Sequence, residues 1–218
     1  QRMLQLVDFF LNQKYSITFA STATTSEYSY DFDLHQIKSI SIVLNDASFD
    51  DFILQENPNI VLFDRFITEE QFGWRIEKNC PNTIRILDSE DLHFLREARA
   101  KAYKNKEKCT EEHLQNDIAK REIASMYRCD CTLIISAYEI ELLQNSFNFP
   151  SKLLYYLPMV YDKNCMNDIS NLPTFKNRKH FISIGNFLHQ PNWYAVLELK
   201  NKIWPLEGYL LKERLSEK

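Results

Sequence analysis

The chain has 218 residues, of which 44% are hydrophobic and 13% aromatic, enough apolar material for one large domain or one and a half. Its formal net charge of −4 and pI of about 5.8 argue against a nucleic-acid partner or a membrane-surface binder, because such proteins concentrate Lys and Arg on one face. Only three glycines occur, where average composition gives about fifteen, so a Walker P-loop and a glycine-rich dinucleotide fingerprint are excluded.

Hydrophobic periodicity predicts a regular alternation of strands and helices. In chain order, the predicted elements are helix 3–11, strands 17–20 and 39–44, helix 48–54, strand 60–63, helix 68–79, strand 84–87, helices 91–104 and 111–127, strand 132–135, helix 138–145 and strand 153–155. Strands that alternate with helices favour right-handed crossovers and a parallel sheet with helices on both faces. The fold class predicted for the first domain is therefore Rossmann-like α/β.

A second, incomplete Rossmann-like domain is predicted near the end of the chain. Residues 158–178 have little periodicity and contain two prolines, which is typical of a connection between domains. A strand at 181–184 and a helix at 191–203 follow. We assign residues 1–170 to the first domain, 171–178 to the linker and 179–218 to the start of the second. Apolar side chains of the second part would be exposed and favour self-association, namely Phe181, Ile182, Trp193, Trp204 and Leu206.

The segment from Ile84 to Arg96 carries the densest set of reactive side chains. Three carboxylates, one imidazole and one guanidinium follow the predicted strand within nine residues, namely Asp88, Glu90, Asp91, His93 and Arg96. Ligands of α/β proteins bind beyond the carboxyl ends of the strands, so this turn is the first candidate site. The structural alternative is a surface helix that is capped by Asp88 or Ser89 and carries solvated charges.

The cysteines indicate reduced thiols rather than a metal site. Their number is odd and they include no Cys-x-x-Cys pair. The five are Cys80, Cys109, Cys129, Cys131 and Cys165. No signal peptide, long apolar run or lipidation motif is visible, so we expect a cytoplasmic protein without an integral membrane segment.

Three segments resemble the GT-B glycosyltransferases of family 4. The first joins Phe63-Asp64-Arg65 to Leu87-Asp88-Ser89-Glu90-Asp91-Leu92-His93, the second runs from Lys120-Arg121-Glu122-Ile123-Ala124 through Asp130 to Ile135-Ser136, and the third runs from Ile184-Gly185-Asn186-Phe187-Leu188-His189-Gln190-Pro191-Asn192 to Ile203-Trp204-Pro205. In such enzymes a first Rossmann-like domain binds the acceptor, and a second, which begins with a strand, a glycine turn and a helix, binds the donor. The resemblance spans about residues 1 to 206.

The chain departs from the family at both ends. It begins inside a helix without the family's first strand, and it stops at Lys218, before the donor-site glutamates that stand eight positions apart in the family. Glu69 and Glu77 have that spacing, but they lie in the acceptor-side half and are interpreted as a coincidence. We therefore expect the chain on its own to be at best feebly active, and robust turnover of a nucleotide sugar would contradict that expectation.

The resemblance implies retaining sugar transfer from a nucleotide-sugar donor to a glycan, lipid or small-molecule acceptor, with no cofactor and no obligatory metal. Its catalytic candidates are His93, Asp91 and Asp88. Its acceptor-binding candidates are Arg65, Glu90, Arg96, Ser136 and Glu139. Its donor-binding candidates are Gly185, Asn186, His189 and Asn192.

Structural roles remain open for several of these residues. His93 would then bond to the preceding turn, Ser136 would cap the next helix, and Arg65 would pair with Glu69 or Glu70. A second hypothesis is a non-catalytic remnant or interaction module that keeps the acceptor-domain fold. A third, another nucleotide-binding α/β protein, is disfavoured because the chain has no glycine loop.

Overall fold

The computed structural model describes residues 2–24, 30, 32, 37–159, 172–178 and 182–206. The chain forms two compact units, Gln1–Tyr161 and Asp162–Lys218. In the first unit the elements are α1 (Arg2–Asn12), β1 (Thr18–Ser21), β2 (Lys38–Ser41), α2 (Ser48–Glu56), β3 (Ile60–Asp64), α3 (Arg65–Asn79), β4 (Ile84–Asp88), α4 (His93–Asn105), α5 (Glu111–Leu114), α6 (Asp117–Arg128), β5 (Cys131–Ile134), α7 (Ala137–Phe147), a 3₁₀ turn (Ser151–Leu153) and β6 (Leu154–Tyr156).

All strand pairs described are parallel. β1 pairs with β2, and β3, β4, β5 and β6 form a four-stranded sheet in that order. The predicted α/β class with a parallel sheet is therefore confirmed. The strands are parallel because each connection returns the backbone to the sheet edge at which the next strand begins, and in the four-stranded sheet the strand order follows the chain.

The core of the first unit lies between the four-stranded sheet and its helices. Phe63, Leu87 and Ile134 extend from three neighbouring strands and are 2% exposed or less, and Phe94 and Leu143 join them from α4 and α7. Helices α3 and α4 each pack against α6, while α7 contacts β5 and β6. Burial of these large apolar side chains stabilises the sheet, whose strand ends carry the polar residues of the candidate site.

Two helices of the first unit differ from the sequence prediction by more than two residues at a boundary. The predicted helix 111–127 is in fact two helices, since the Asn116 side chain accepts a hydrogen bond from the Ala119 N–H at 2.9 Å and so caps α6. Helix α3 begins at Arg65, three residues before the predicted start, so Thr68 lies inside the helix rather than at its N-cap. Its hydroxyl instead donates to the Asp64 carbonyl at 2.7 Å, within the first turn of the helix.

The second unit has less regular structure than predicted. Its described elements are a 3₁₀ turn (Phe175–Asn177), α8 (Gln190–Glu198) and a π-helical turn (Leu199–Ile203). The predicted strand at 181–184 is wrong for residues 182–184, which have no partner strand in the described part of this unit. Phe181 lies outside the described residues. The predicted exposure is confirmed for the other four apolar side chains, namely Ile182, Trp193, Trp204 and Leu206.

Candidate functional site

The carboxyl ends of β3, β4 and β5 lie side by side. Asp64, the last residue of β3, pairs in register with Asp88 of β4, and Asp88 pairs with Leu133 of β5. Each of these strands is followed by polar residues, which lie at the start of the next helix or in the turn before it. The structure thus brings the predicted acceptor-side residues of three turns to one edge of the sheet.

Two residues at this edge have a left-handed backbone. Arg65, directly after β3, has φ 65°, and Glu90, the second residue after β4, has φ 58°. The other described non-glycine residues with positive φ follow a helix or lie in a turn, namely Lys14, Asn45, Asn57, Lys106 and Asn148. Strained backbone of this kind is concentrated at functional sites, so Arg65 and Glu90 mark the edge as a candidate site.

The charged side chains of these two residues face each other. Arg65 Nε lies 4.0 Å from Glu90 Oε2, while Arg65 Nη2 lies 2.9 Å from Asp64 Oδ2. Burial and the neighbouring Asp64 carboxylate raise the pKa of Glu90. Arg65 therefore pairs with these carboxylates rather than with Glu69 or Glu70, which bind arginines of α6.

Two buried glutamates from other helices bind the start of α4. The N–H groups of His93 and Phe94 donate to Glu122 Oε1 at 3.1 Å and Oε2 at 3.0 Å. The Leu92 N–H donates to Glu139 Oε1 at 3.3 Å. A carboxylate is favoured here because the first N–H groups of a helix lack intrahelical partners and carry partial positive charge. Capping of this helix by Asp88 or Ser89, the structural alternative, is therefore wrong.

Asp88 and Ser89 are engaged elsewhere in the first unit. Asp88 is fully buried, and its two oxygens accept hydrogen bonds from the Arg2 guanidinium, with Nε–Oδ2 2.9 Å and Nη2–Oδ1 3.0 Å. Arg2 also donates to the Leu157 carbonyl at 3.1 Å. The Ser89 hydroxyl donates to the Leu133 carbonyl at 2.9 Å. Asp88 thus joins α1 to the sheet, and its catalytic role stays a prediction.

His93 lies at the centre of the edge. Its Nδ1 is 3.1 Å from the Asp91 carbonyl oxygen and 3.4 Å from Glu122 Oε1, so Nδ1 carries the hydrogen that this carbonyl accepts. The ring meets Phe66 edge-on, with 5.3 Å between centroids. The hydrogen bond to Glu122 raises the pKa of His93 against the opposing effect of burial. Among the described residues, none makes a hydrogen bond to Nε2.

Asp91 and Arg96 form an exposed pair beside this ring. Arg96 Nη1 donates to both carboxylate oxygens of Asp91, at 2.9 and 3.0 Å. Asp91 Oδ1 is 3.9 Å from His93 Nδ1, beyond hydrogen-bond distance. The structure thus brings these three residues together, but the Asp91 carbonyl and Glu122, rather than the Asp91 carboxylate, orient the ring.

Ser136 and Glu139 begin the next helix, α7. Ser136 occupies the N-cap position, yet its side chain makes no capping hydrogen bond, so that structural alternative is wrong. Glu139 is 8% exposed, with Oε1 bonded to the Leu92 N–H. Its Oε2 is buried and has no hydrogen-bond partner among the described residues, and burial raises the pKa of this carboxyl. Glu139 thus reaches the β4–α4 turn from a different strand end.

The four predicted donor-side residues share one turn of the second unit. Asn192 Nδ2 donates to the Asn186 carbonyl at 3.1 Å, and Asn186 Oδ1 accepts from the Leu188 N–H at 3.0 Å. A Cβ at Gly185 would lie 3.2 Å from Asn192 Nδ2, so this glycine allows a close approach of the asparagine. His189 is the N-cap of α8, with no capping bond from its side chain.

The described residues contain no group of three or more His, Cys, Asp or Glu that could hold a metal ion. Burial raises the pKa of Cys129 to about 12 and also raises the pKa of Cys131, which disfavours the thiolate that metals bind. Cys165 lies outside the described residues. Across those same ranges, every helix is too short or too polar to cross a membrane.

Comparison with known proteins gives no match to a family model, to a curated protein or to a solved structure.

Sequence reasoning missed two residues that organise this edge, Arg2 and Glu122. Glu122 belongs to the buried face of α6 together with Ala119, Ser125 and Met126. A carboxylate at helical spacing among apolar and small residues is a usable signal, because a buried charge requires a partner. The spacing does not identify that partner, since the α4 N-terminus is 28 residues away from Glu122 in sequence.

Proposed function

We propose that this protein is a glycosyltransferase, or the acceptor-side part of one. It transfers a sugar from a nucleotide-sugar donor to a hydroxyl of a glycan, lipid or small-molecule acceptor, with retention at the sugar and without a metal or other cofactor. The observation that carries the proposal is the position of His93, whose ring is fixed through Nδ1 at the carboxyl edge of a parallel sheet. The three segments that resemble family 4 glycosyltransferases also support the proposal.

The side chains at this edge suit the charges that glycosyl transfer develops. The sugar becomes positively charged in the transition state while negative charge builds on the departing diphosphate. Since Nδ1 of His93 is bound to the Asp91 carbonyl, Nε2 is the nitrogen available to a ligand. In this role it donates a hydrogen bond to an oxygen of the transferred sugar or of the departing group. Its raised pKa favours the donating, charged form of the ring.

The neighbouring residues are assigned to the acceptor and the donor. Carboxylates accept hydrogen bonds from sugar hydroxyls, and guanidinium groups bind hydroxyl or phosphate oxygens. We assign acceptor contacts to the residues of the three strand-end turns, which are Arg65, Glu90, Asp91, Arg96, Ser136 and Glu139. We assign donor phosphate contacts to the turn of the second unit, where Gly185 and Asn186 precede the N-terminus of α8.

The test is isothermal titration of the chain with UDP and with GDP. We expect the wild type to bind one of the two nucleotides, and His93→Ala and Gly185→Trp each to weaken or abolish that binding. His113→Ala is a matched control, because it makes the same change at a histidine whose partners are Thr110 and Glu107 of the α5 region. Binding that is equal in all four proteins would contradict the assigned residues.

A non-catalytic module with the acceptor-domain fold is the second candidate. It is favoured by the β4–α4 turn, where the helix N–H groups bind Glu122 and Glu139 and both Asp88 oxygens bind Arg2. A turn whose polar groups are satisfied internally offers few of them to a ligand. Absence of nucleotide binding by the folded wild type would favour this candidate.

A further inference from the structure

The N-terminus of α4 holds a carboxylate that belongs to the chain itself. Glu122 is 0% exposed and uses both oxygens on consecutive backbone N–H groups, those of His93 and Phe94. The same Oε1 lies 3.4 Å from the ring nitrogen Nδ1 of His93. One buried side chain therefore contacts both the backbone and the imidazole of the residue at the centre of the candidate site.

We propose that Glu122 is the positioning residue of His93 and that it occupies the anion-binding position of α4. Its bond to the His93 N–H fixes the position of this residue at the start of α4. Its carboxylate stabilises the charged imidazole through Nδ1. His93 then presents Nε2 to the ligand. Only the reaction in which His93 takes part rests on the proposed function; the positioning role of Glu122 does not.

The occupied helix N-terminus has a consequence for the ligand. A phosphate at the start of α4 would have to displace a buried carboxylate that two backbone N–H groups already bind. Removal of that carboxylate from its bonds would leave it buried and unpaired, which is unfavourable. At this edge of the sheet we therefore assign any anionic oxygens of a ligand to Nε2 of His93 and to the exposed guanidinium groups of Arg65 and Arg96 rather than to this helix.

Both charged and apolar groups surround the His93 ring. Glu122 on α6 favours the charged ring most strongly, the Asp91 carboxylate of the turn favours it more weakly, and Arg96 on α4 opposes it. From α3, the apolar Phe66 ring lies edge-on against the imidazole. The Arg121 guanidinium of α6 is 5.3 Å from the centroid of the Phe66 ring. Of these neighbours, Glu122 is the carboxylate nearest to Nδ1, and it is fully buried.

The experiment is an NMR titration of the His93 imidazole in the full 218-residue chain. His93→Gln assigns the signal, and Glu122→Gln removes the charge while it keeps the size and one acceptor oxygen. In the wild type we expect a midpoint above the ordinary value of 6.5 and an Nδ1-protonated tautomer on the basic side. Glu122→Gln should move the midpoint to lower pH, and the control Asp91→Asn should move it less.

Each result decides the proposal. A wild-type midpoint at or below 6.5, or an equal midpoint in folded Glu122→Gln, would overturn it. If Glu122→Gln does not fold, the wild-type midpoint and its tautomer still decide. A wild type that titrates as expected but binds neither UDP nor GDP would count against sugar transfer by this chain, would favour an acceptor-domain fragment or a non-catalytic module, and would leave the role of Glu122 in place.

Discussion

Two turns with a histidine lead into helices, and they are stabilised in opposite ways. In the β4–α4 turn, the N–H groups of residues 92–94 donate to carboxylates from α6 and α7. In the turn before α8, Asn186 and Asn192 bind backbone groups within the same eight residues, and His189 makes no capping bond. The first turn is fixed by tertiary contacts, whereas the second is fixed by its own sequence.

The difference teaches where each turn is sensitive to substitution. The β4–α4 turn depends on Arg2 and Glu122, which are 86 and 29 residues away from their partners Asp88 and His93. Loss of either should loosen the candidate site and the fold together. The turn before α8 should respond only to changes inside it, with no effect on the first unit.

The largest expected effect is that of Arg2→Met. It leaves the fully buried Asp88 carboxylate without its partner, which should lower the free energy of unfolding by about 3–5 kcal/mol. The matched control is Arg96→Met, which breaks a two-contact pair that is partly exposed and should cost at most about 1 kcal/mol. Urea unfolding followed by circular dichroism measures both. Equal losses would show that burial does not distinguish the two arginines.

A smaller loss is expected from Glu122→Gln. The carboxamide can accept from only one of the two N–H groups and leaves the other buried without a good acceptor, so we expect a loss of about 1–3 kcal/mol. Glu141→Gln makes the same change at an exposed glutamate of α7 and should leave stability unchanged. Urea unfolding of the two variants at one pH tests this. A Glu122→Gln protein as stable as Glu141→Gln would contradict a tertiary origin for the first turn.

The sequence could predict the parallel sheet and the edge where the candidate site lies, but not the residues that hold the β4–α4 turn in place. The apolar runs at 60–63 and 84–87 identify two strands. The polar residues that follow these strands in the chain identify the edge at which His93, Asp91 and Arg96 lie. Arg2 and Glu122 escaped prediction because each acts across a long stretch of chain. The predicted strand was wrong at residues 182–184 because an apolar alternation favours a strand but does not show that a partner strand is present.

Glu139 gives the first turn a dependence on pH. Since burial raises the pKa of its carboxyl in the folded protein, the fold favours the protonated form. The stability of the wild type relative to Glu139→Gln should therefore be greatest below the unfolded pKa, about 4.3. It should fall as pH rises through the higher folded pKa. Urea unfolding of both proteins at pH 4 and pH 7 measures this difference, which we expect to be smaller than the Glu122→Gln loss. A difference that grows toward pH 7 would contradict the assigned direction.

The smallest effect is expected at the second turn, from Gly185→Ala. The described glycines have no positive φ, so the alanine backbone is unstrained, and the cost comes from the Cβ that would lie 3.2 Å from Asn192 Nδ2. Asn192 must move and weaken its bond to the Asn186 carbonyl, a loss of about 0.5–1.5 kcal/mol at most. Amide hydrogen exchange at Leu188 and His189 should accelerate, while unfolding of the first unit is unchanged.

The double variant locates the cause of that change. Asn192→Ala removes the side chain that the Gly185 substitution displaces, so it should accelerate exchange of the same two amides. Gly185→Ala added to Asn192→Ala should have no further effect, because both substitutions act through one contact. An additive effect would mean that Gly185 acts through another contact. A change in the unfolding of the first unit would mean that the second turn does not depend on its own residues alone, and the contrast between the two turns would fail.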